Sequence, residues 1–166
     1  MLEYATELKS PTPAGVPQDV PADRSFEHVP SGQLGRNIDC SRPVTVFQDE
    51  WAVVAKIDDE VVGRALVSAG QQPYVESLGG QYQFDGAYVR RVYVDREWRN
   101  CGIATHLIGE CLVVAKTELE TRRALALIAP DNTPSRRAFE RNGFEPVCRH
   151  DYVSLFGREW RRATSL

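Results

Sequence analysis

A chain of 166 residues with 42% apolar and 26% charged residues has the composition of one ordinary globular unit, which excludes a disordered or fibrous protein. Its net charge of −3 supplies no basic field, so nucleic acid is not an expected partner. No apolar run approaches the roughly 18 residues that a membrane helix needs, so no membrane association is expected either.

The first stretch, "MLEYATELKSPTPAG", lacks the basic and apolar regions of a secretory signal. The four cysteines, Cys40, Cys101, Cys111 and Cys148, form no C-x-x-C pair. Together these predict a reduced, cytoplasmic protein; a monomer and a homodimer are both compatible with the sequence. Residues 1–45 read as an irregular or atypical N-terminal segment, because Pro11, Pro13, Pro17, Pro21 and Pro30 interrupt any long helix. One short strand is expected there, around "SFEHV". Residues 46–166 read as the folded domain.

Within that domain "WAVVAKI" (51–57) and "VVGRALVSA" (61–69) are β-branched runs divided by Asp58, Asp59 and Glu60, which predicts a hairpin. Residues 71–83 read as a loop with Pro73 and the Gly79–Gly80 pair. "FDGAYVRRVYV" (84–94) is the next strand, and its phase is irregular. Val92 and Val94 share a face by period two, but Val89 is three residues before Val92. Either a β-bulge near Arg90 and Arg91 restores the phase, or one valine faces a second, partly covered surface.

Apolar residues then recur at Ala104, Leu107, Ile108, Cys111, Leu112 and Ala115, the stripe of an amphipathic helix over about 102–117. His106 falls on its polar side. "ALALIA" (124–129) reads as a buried strand. In "PDNTPSRRAFERNGF" a short helix is capped by Asn132 or Thr133, carries Pro134 in its first turn and ends at Gly143. The remainder reads as two strands about a turn at Gly157. The order β-β-β-α-β-α-β-β predicts an α+β domain with a parallel pair across the first helix.

The start of that first helix carries the chemistry. A helix N-terminus offers unpaired N–H groups and about half a positive charge. Gly102 and Ala104 leave the backbone open to close approach, and Arg99 adds a donor fork suited to phosphate. The stretch therefore reads as an anion cradle for a diphosphate. Neither G-x-x-x-x-G-K-[S/T] nor G-x-G-x-x-G occurs here, which argues against a nucleoside triphosphate or a dinucleotide.

Arg99–Asn100–Cys101–Gly102–Ile103–Ala104 fits the pattern R/Q-x-x-G-x-G/A. "NTPSRRAFERNGFEPV" follows with Asn132, Phe139, Gly143 and Phe144 at the spacing of a second signature. On these motifs the chain resembles the GNAT superfamily of N-acetyltransferases, over about residues 48–160. The resemblance implies an acyl-CoA N-acyltransferase fold of the α+β class, with a mixed, mostly antiparallel central sheet and helices on both faces. It implies acetyl-CoA as co-substrate and an amine, small-molecule or peptide, as acceptor. Val92, Tyr93 and Val94 would hold the pantetheine arm and the acetyl carbonyl through their backbone. Arg99, Asn100, Cys101, Gly102, Ile103, Ala104 and Thr105 would wrap the pyrophosphate. Asn132, Ser135 and Phe139 would line the cofactor's far side.

One departure bears on catalysis. Many members have a tyrosine where this chain has Phe139, taken to protonate the departing thiolate. Either turnover proceeds without that acid, with Ser135 or water as donor, or the chain binds acyl-CoA as a non-catalytic regulatory or sensor module. A thiol pKa of roughly 8.5 makes the thiolate a tolerable leaving group in the first case. For the general base, Asp85 and Glu76 are the carboxylates at hand. Cys148-x-His150 offers too few ligands for a metal, and none is expected.

Overall fold

The computed structural model describes residues 1–8, 24–30, 50–155 and 158–166; the turn expected at Gly157, Cys40 and most of the expected irregular segment (9–23 and 31–45) lie outside the described residues. The strands are β1 (Leu2–Glu7), β2 (Arg24–Pro30), β3 (Trp51–Ile57), β4 (Glu60–Ala69), β5 (Tyr74–Val75), β6 (Gly80–Gln81), β7 (Ala87–Val94), β8 (Arg123–Ile128), β9 (Glu145–Leu155) and β10 (Arg158–Ser165). Two α-helices interleave with them, α1 (Ile103–Thr117) and α2 (Thr133–Glu140). Eight strands form one sheet in the order β10-β9-β1-β8-β7-β4-β3-β2, and β5 with β6 makes a separate two-stranded ribbon.

The hairpin β3–β4 follows from its turn. Ile57 pairs with Glu60, so Asp58 and Asp59 alone make the loop, with φ of 50° and 65°. Two positive φ values give the type I′ turn whose twist suits a hairpin. The loop expected over 71–83 is instead partly ordered as the β5–β6 ribbon, closed by a 3-10 turn at Glu76–Leu78. Leu78, 1% exposed, anchors it.

The N-terminal expectation needs correction. The strand around "SFEHV" is present as β2, antiparallel to β3. Residues 2–7, however, form β1, which is not an appendage but an interior strand, paired antiparallel with both β8 and β9. Tyr4 is fully buried, and its hydroxyl accepts from Arg136 Nε at 2.8 Å and donates to Glu140 Oε1 at 3.1 Å, tying β1 to α2. A strand of six residues with one aromatic and two charges gives too weak a period for the sequence to announce it.

Strands β7 and β8 run parallel. Because β8–β1 and β1–β9 are both antiparallel, β9 also runs parallel to β8, one strand further along the sheet. The crossovers β7-α1-β8 and β8-α2-β9 thus step in the same direction, and right-handed crossovers stepping one way place their helices on one face. That is the arrangement seen: Leu107, Ile108, Cys111, Val114, Ala138 and Phe139 share one core with Tyr4, Val53, Val67, Val89 and Ala126. Both α-helices of the described residues therefore lie on the same side of the sheet. The other face carries Ala5, Phe84 and Leu125 in one small cluster and Ala52, Val54 and Leu66 in another.

Cys111 lies wholly within the core, where burial, and then the charge of Glu110, push its thiol well above the ordinary range. Among the described residues no helix is long and apolar enough to cross a membrane.

Candidate active site

Of the two readings of the β7 phase, the β-bulge is the one observed. Leu66 pairs with Arg90 and Arg64 with Tyr93, so Arg91 and Val92 together oppose Ala65. Arg91 takes φ of 55°, the strained residue of the bulge. Val89 and Val94 are consequently both buried on the helix side, and Val92 packs against the same core.

The parallel ladder between β7 and β8 is short. It joins Ala87 to Ala124 and Tyr88 to Leu125 and then stops. Beyond Tyr88 the strands separate, and the main-chain groups of β7 that face β8 have no ladder partner. A cleft of about 180 Å³ opens there. Val89, Arg90, Arg91 and Val92 form one wall, Leu127, Ile128 and Ala129 the other, and Asn132, Ser135 and Phe139 of the α2 segment close the end.

Each of the end residues has a structural cause for its position. The Asn132 side chain caps α2 by accepting from the Ser135 N–H at 3.2 Å, and Pro134 occupies the first turn. Phe139, 3% exposed, stands edge-on to Phe144 with ring centroids 4.9 Å apart. Asn142 Nδ2 donates to Thr105 O at 2.9 Å, which fixes the end of α2 against the start of α1.

The start of α1 is open. Gly102 precedes the helix with φ of 79°, no side chain caps the first turn, and the turn contains no acidic residue. Asn100 also has positive φ, 65°. Ile103 and Thr105 point inward and are buried, so that segment presents main chain rather than side chains. Arg99 is exposed; its Nε donates to Val94 O at 3.0 Å and its guanidinium lies 5.9 Å from the Tyr93 ring centroid. Among the described residues the outer nitrogens of the fork make no further hydrogen bond or ion pair. Uncapped N–H groups, a glycine in the left-handed region and a tethered arginine fit a diphosphate.

His106 departs from its expected place on the polar side. Its Nδ1 donates to Gly102 O at 3.2 Å and its ring stacks on Phe26 with centroids 5.8 Å apart. The first-turn carbonyl and β2 together pull it inward.

The two carboxylates expected near the chemistry are not brought to the cleft. Asp85 is exposed ahead of β7, and Glu76 is exposed on the 3-10 turn of the ribbon. Ser135 does border the cleft. Sequence reasoning missed Glu50, whose side chain is fully buried and grips Arg90 in a bidentate pair, Nε–Oε1 2.7 Å and Nη2–Oε2 2.8 Å. No signal in the chain joined the two, which stand forty positions apart. Beside them, burial pushes the Tyr88 phenol above its ordinary value, with Arg90 and Arg91 partly opposing, so that hydroxyl keeps its proton at neutral pH.

The sheet thus splits between two parallel strands, at a bulge, beside a helix whose first turn carries no side-chain cap. The sequence profile described as the Acetyltransferase (GNAT) family matches residues 23–144, and the chain belongs to that family, whose members use acyl-CoA donors. It is similar to the L-amino acid N-acetyltransferase AaaT of Escherichia coli (strain K12), 28% identical over 96 residues, or 56% of this chain and 52% of that protein. Its fold is similar to that of a GCN5-related N-acetyltransferase from Kribbella flavida (TM-score 0.57, 19% identity, 87% of this chain and 53% of that one). It is also similar to the aminoglycoside antibiotic 6'-N-acetyltransferase AAC(6')-Ih from Acinetobacter baumannii (TM-score 0.54, 21% identity, 80% of this chain and 97% of that one). The chain spans about half the length of the first two.

Proposed function

We propose that this protein transfers an acetyl group from acetyl-CoA to the primary amine of a small molecule, by direct attack within a ternary complex. The observation that carries the reading is the cleft between β7 and β8, continuous at one side with a bulge and bordered by the capped start of α2. When bound, acetyl-CoA supplies an activated thioester carbonyl. The backbone of Val92, Tyr93 and Val94 would orient the thioester arm, and an N–H at the bulge would stabilise negative charge growing on the carbonyl oxygen. Main-chain N–H groups from Arg99 to Thr105 would hold the diphosphate, with Arg99 as the added cation. Holding both reactants in one cleft supplies much of the rate.

Phe139 cannot give a proton to the leaving thiolate. Ser135, one turn earlier on α2, borders the cleft and would supply a hydroxyl for that role. Asp85 and Glu76, both exposed and outside the cleft lining, would take the ammonium proton only through water. The curated relative's name makes amino acids the first acceptor class to test, and the A. baumannii neighbour's makes aminoglycosides the second. Phe139 is also the observation that favours a non-catalytic acyl-CoA module.

Two measurements separate these readings. Acetyl-CoA at a hundred times Kd should stabilise the fold by about 2.7 kcal/mol in thermal unfolding; no shift removes the cofactor assignment. With a shift in hand, thiol release is followed against a panel of amines. Release with amino acids or aminoglycosides supports transfer, and binding with no release by any amine supports the sensor. Enhanced release from Phe139→Tyr would trace a slow wild-type rate to missing acid catalysis.

A further inference from the structure

On the sheet face opposite the helices, and apart from the cleft, β1 and β9 bring together three side chains of different chemistry. Glu3 is the direct cross-strand partner of Cys148, and His150 follows two residues along β9, on the same face. Glu3 Oε2 and His150 Nε2 are 2.8 Å apart, and the three ligand atoms all lie within 4.8 Å of one another. The Glu3 and His150 side chains are only 18% and 13% exposed. Their positions are fixed by the backbone: Met1 N donates to His150 O and His150 N donates to Met1 O, both at 2.8 Å. Tyr82 packs edge-on against the imidazole, with centroids 5.6 Å apart, and fixes its tilt. The flanking charges, Arg149 and Asp151, alternate to the other side of the strand and pair with each other at 2.9 Å.

We propose that Glu3, Cys148 and His150 form a binding site for a borderline-soft divalent cation of the zinc class. A thiolate, an imidazole and a carboxylate are the donor set that selects zinc or cobalt over magnesium and calcium, which favour oxygen ligands alone. Three protein ligands leave a fourth position for water. On binding, the Cys148 thiol gives its proton to solvent and its sulfur becomes a ligand; His150 Nε2 gives up its proton, the neutral ring keeping its one hydrogen on Nδ1, and Glu3 Oε2 exchanges its contact with His150 for the cation. Cys148-x-His150 alone was too sparse to suggest this; the third donor comes from the far end of the chain. The proposal is independent of acyl transfer.

The test uses the whole protein with Co²⁺ and Zn²⁺ as the only probes. Co²⁺ should bind one to one and give a thiolate-to-cobalt charge-transfer absorption, which Zn²⁺ abolishes and excess Mg²⁺ does not. Cys148→Ser should remove the band, Glu3→Gln should weaken binding at least tenfold, and Cys101→Ser should leave the band intact. Circular dichroism verifies that each variant is folded. Absence of the band in the wild type, its persistence in Cys148→Ser, or displacement of cobalt by Mg²⁺ would overturn the site.

Discussion

Glu50 and Arg90 set the character of the cleft wall at the level of single side chains. The carboxylate is wholly enclosed and the guanidinium nearly so, and their two parallel hydrogen bonds hold the arginine against β7 beside the bulge. A buried pair of this kind adds little net stability, because desolvation offsets the attraction, yet removal of one partner strands the other. Glu50→Gln should therefore cost about 3 kcal/mol or more of folding free energy, read from the urea midpoint at unchanged m value. Loss of less than about 1 kcal/mol would show that Arg90 finds other compensation.

At the level of elements, α1 combines a well-packed body with a bare beginning. Leu107, Ile108, Cys111, Val114 and Ala115 are all buried, so the helix does not need a cap to persist. The uncapped first turn is then available to a ligand. A carboxylate there should affect folding and binding in opposite directions. Ala104→Glu should hold or raise stability by about 0.3–1 kcal/mol through the helix dipole. The same charge should weaken acetyl-CoA binding by about tenfold or more, measured by calorimetry. Equal affinity in the variant would place the diphosphate elsewhere. The contrast with α2 is instructive, since there Asn132 supplies the cap and the helix has only eight residues to stabilise itself.

For the whole molecule, the sheet depends on its first strand. Among the described strands, β1 lies between β8 and β9 and joins the strands β8 to β2 to the closing β9–β10 hairpin in the sheet order. Its loss would expose two interior edges and leave the Arg136 and Glu140 contacts of α2 without Tyr4. Removing residues 1–8 should abolish cooperative thermal unfolding, whereas trimming Ser165 and Leu166 from β10, an edge strand paired on one side only, should shift it far less. A truncated chain that melts cooperatively near the wild-type temperature would contradict this dependence.

Local pattern alone indicated the β3–β4 hairpin, both helices to within a few residues of their ends, the bulge as one of two readings of β7, and the motif at Arg99–Ala104. Each of these is governed by residues within a few positions of one another: turn chemistry, period and caps. It did not reveal β1 as an interior strand, the face shared by α1 and α2, or the ordering of the 71–83 stretch. Nor could it join Glu50 to Arg90, or Glu3 to Cys148 and His150. Those features depend on strand order, crossover direction and cross-strand register, which couple residues tens to more than a hundred positions apart. Short-range periodicity carries no information about such distances, because the pairing that creates them exists only once the sheet has closed around its core.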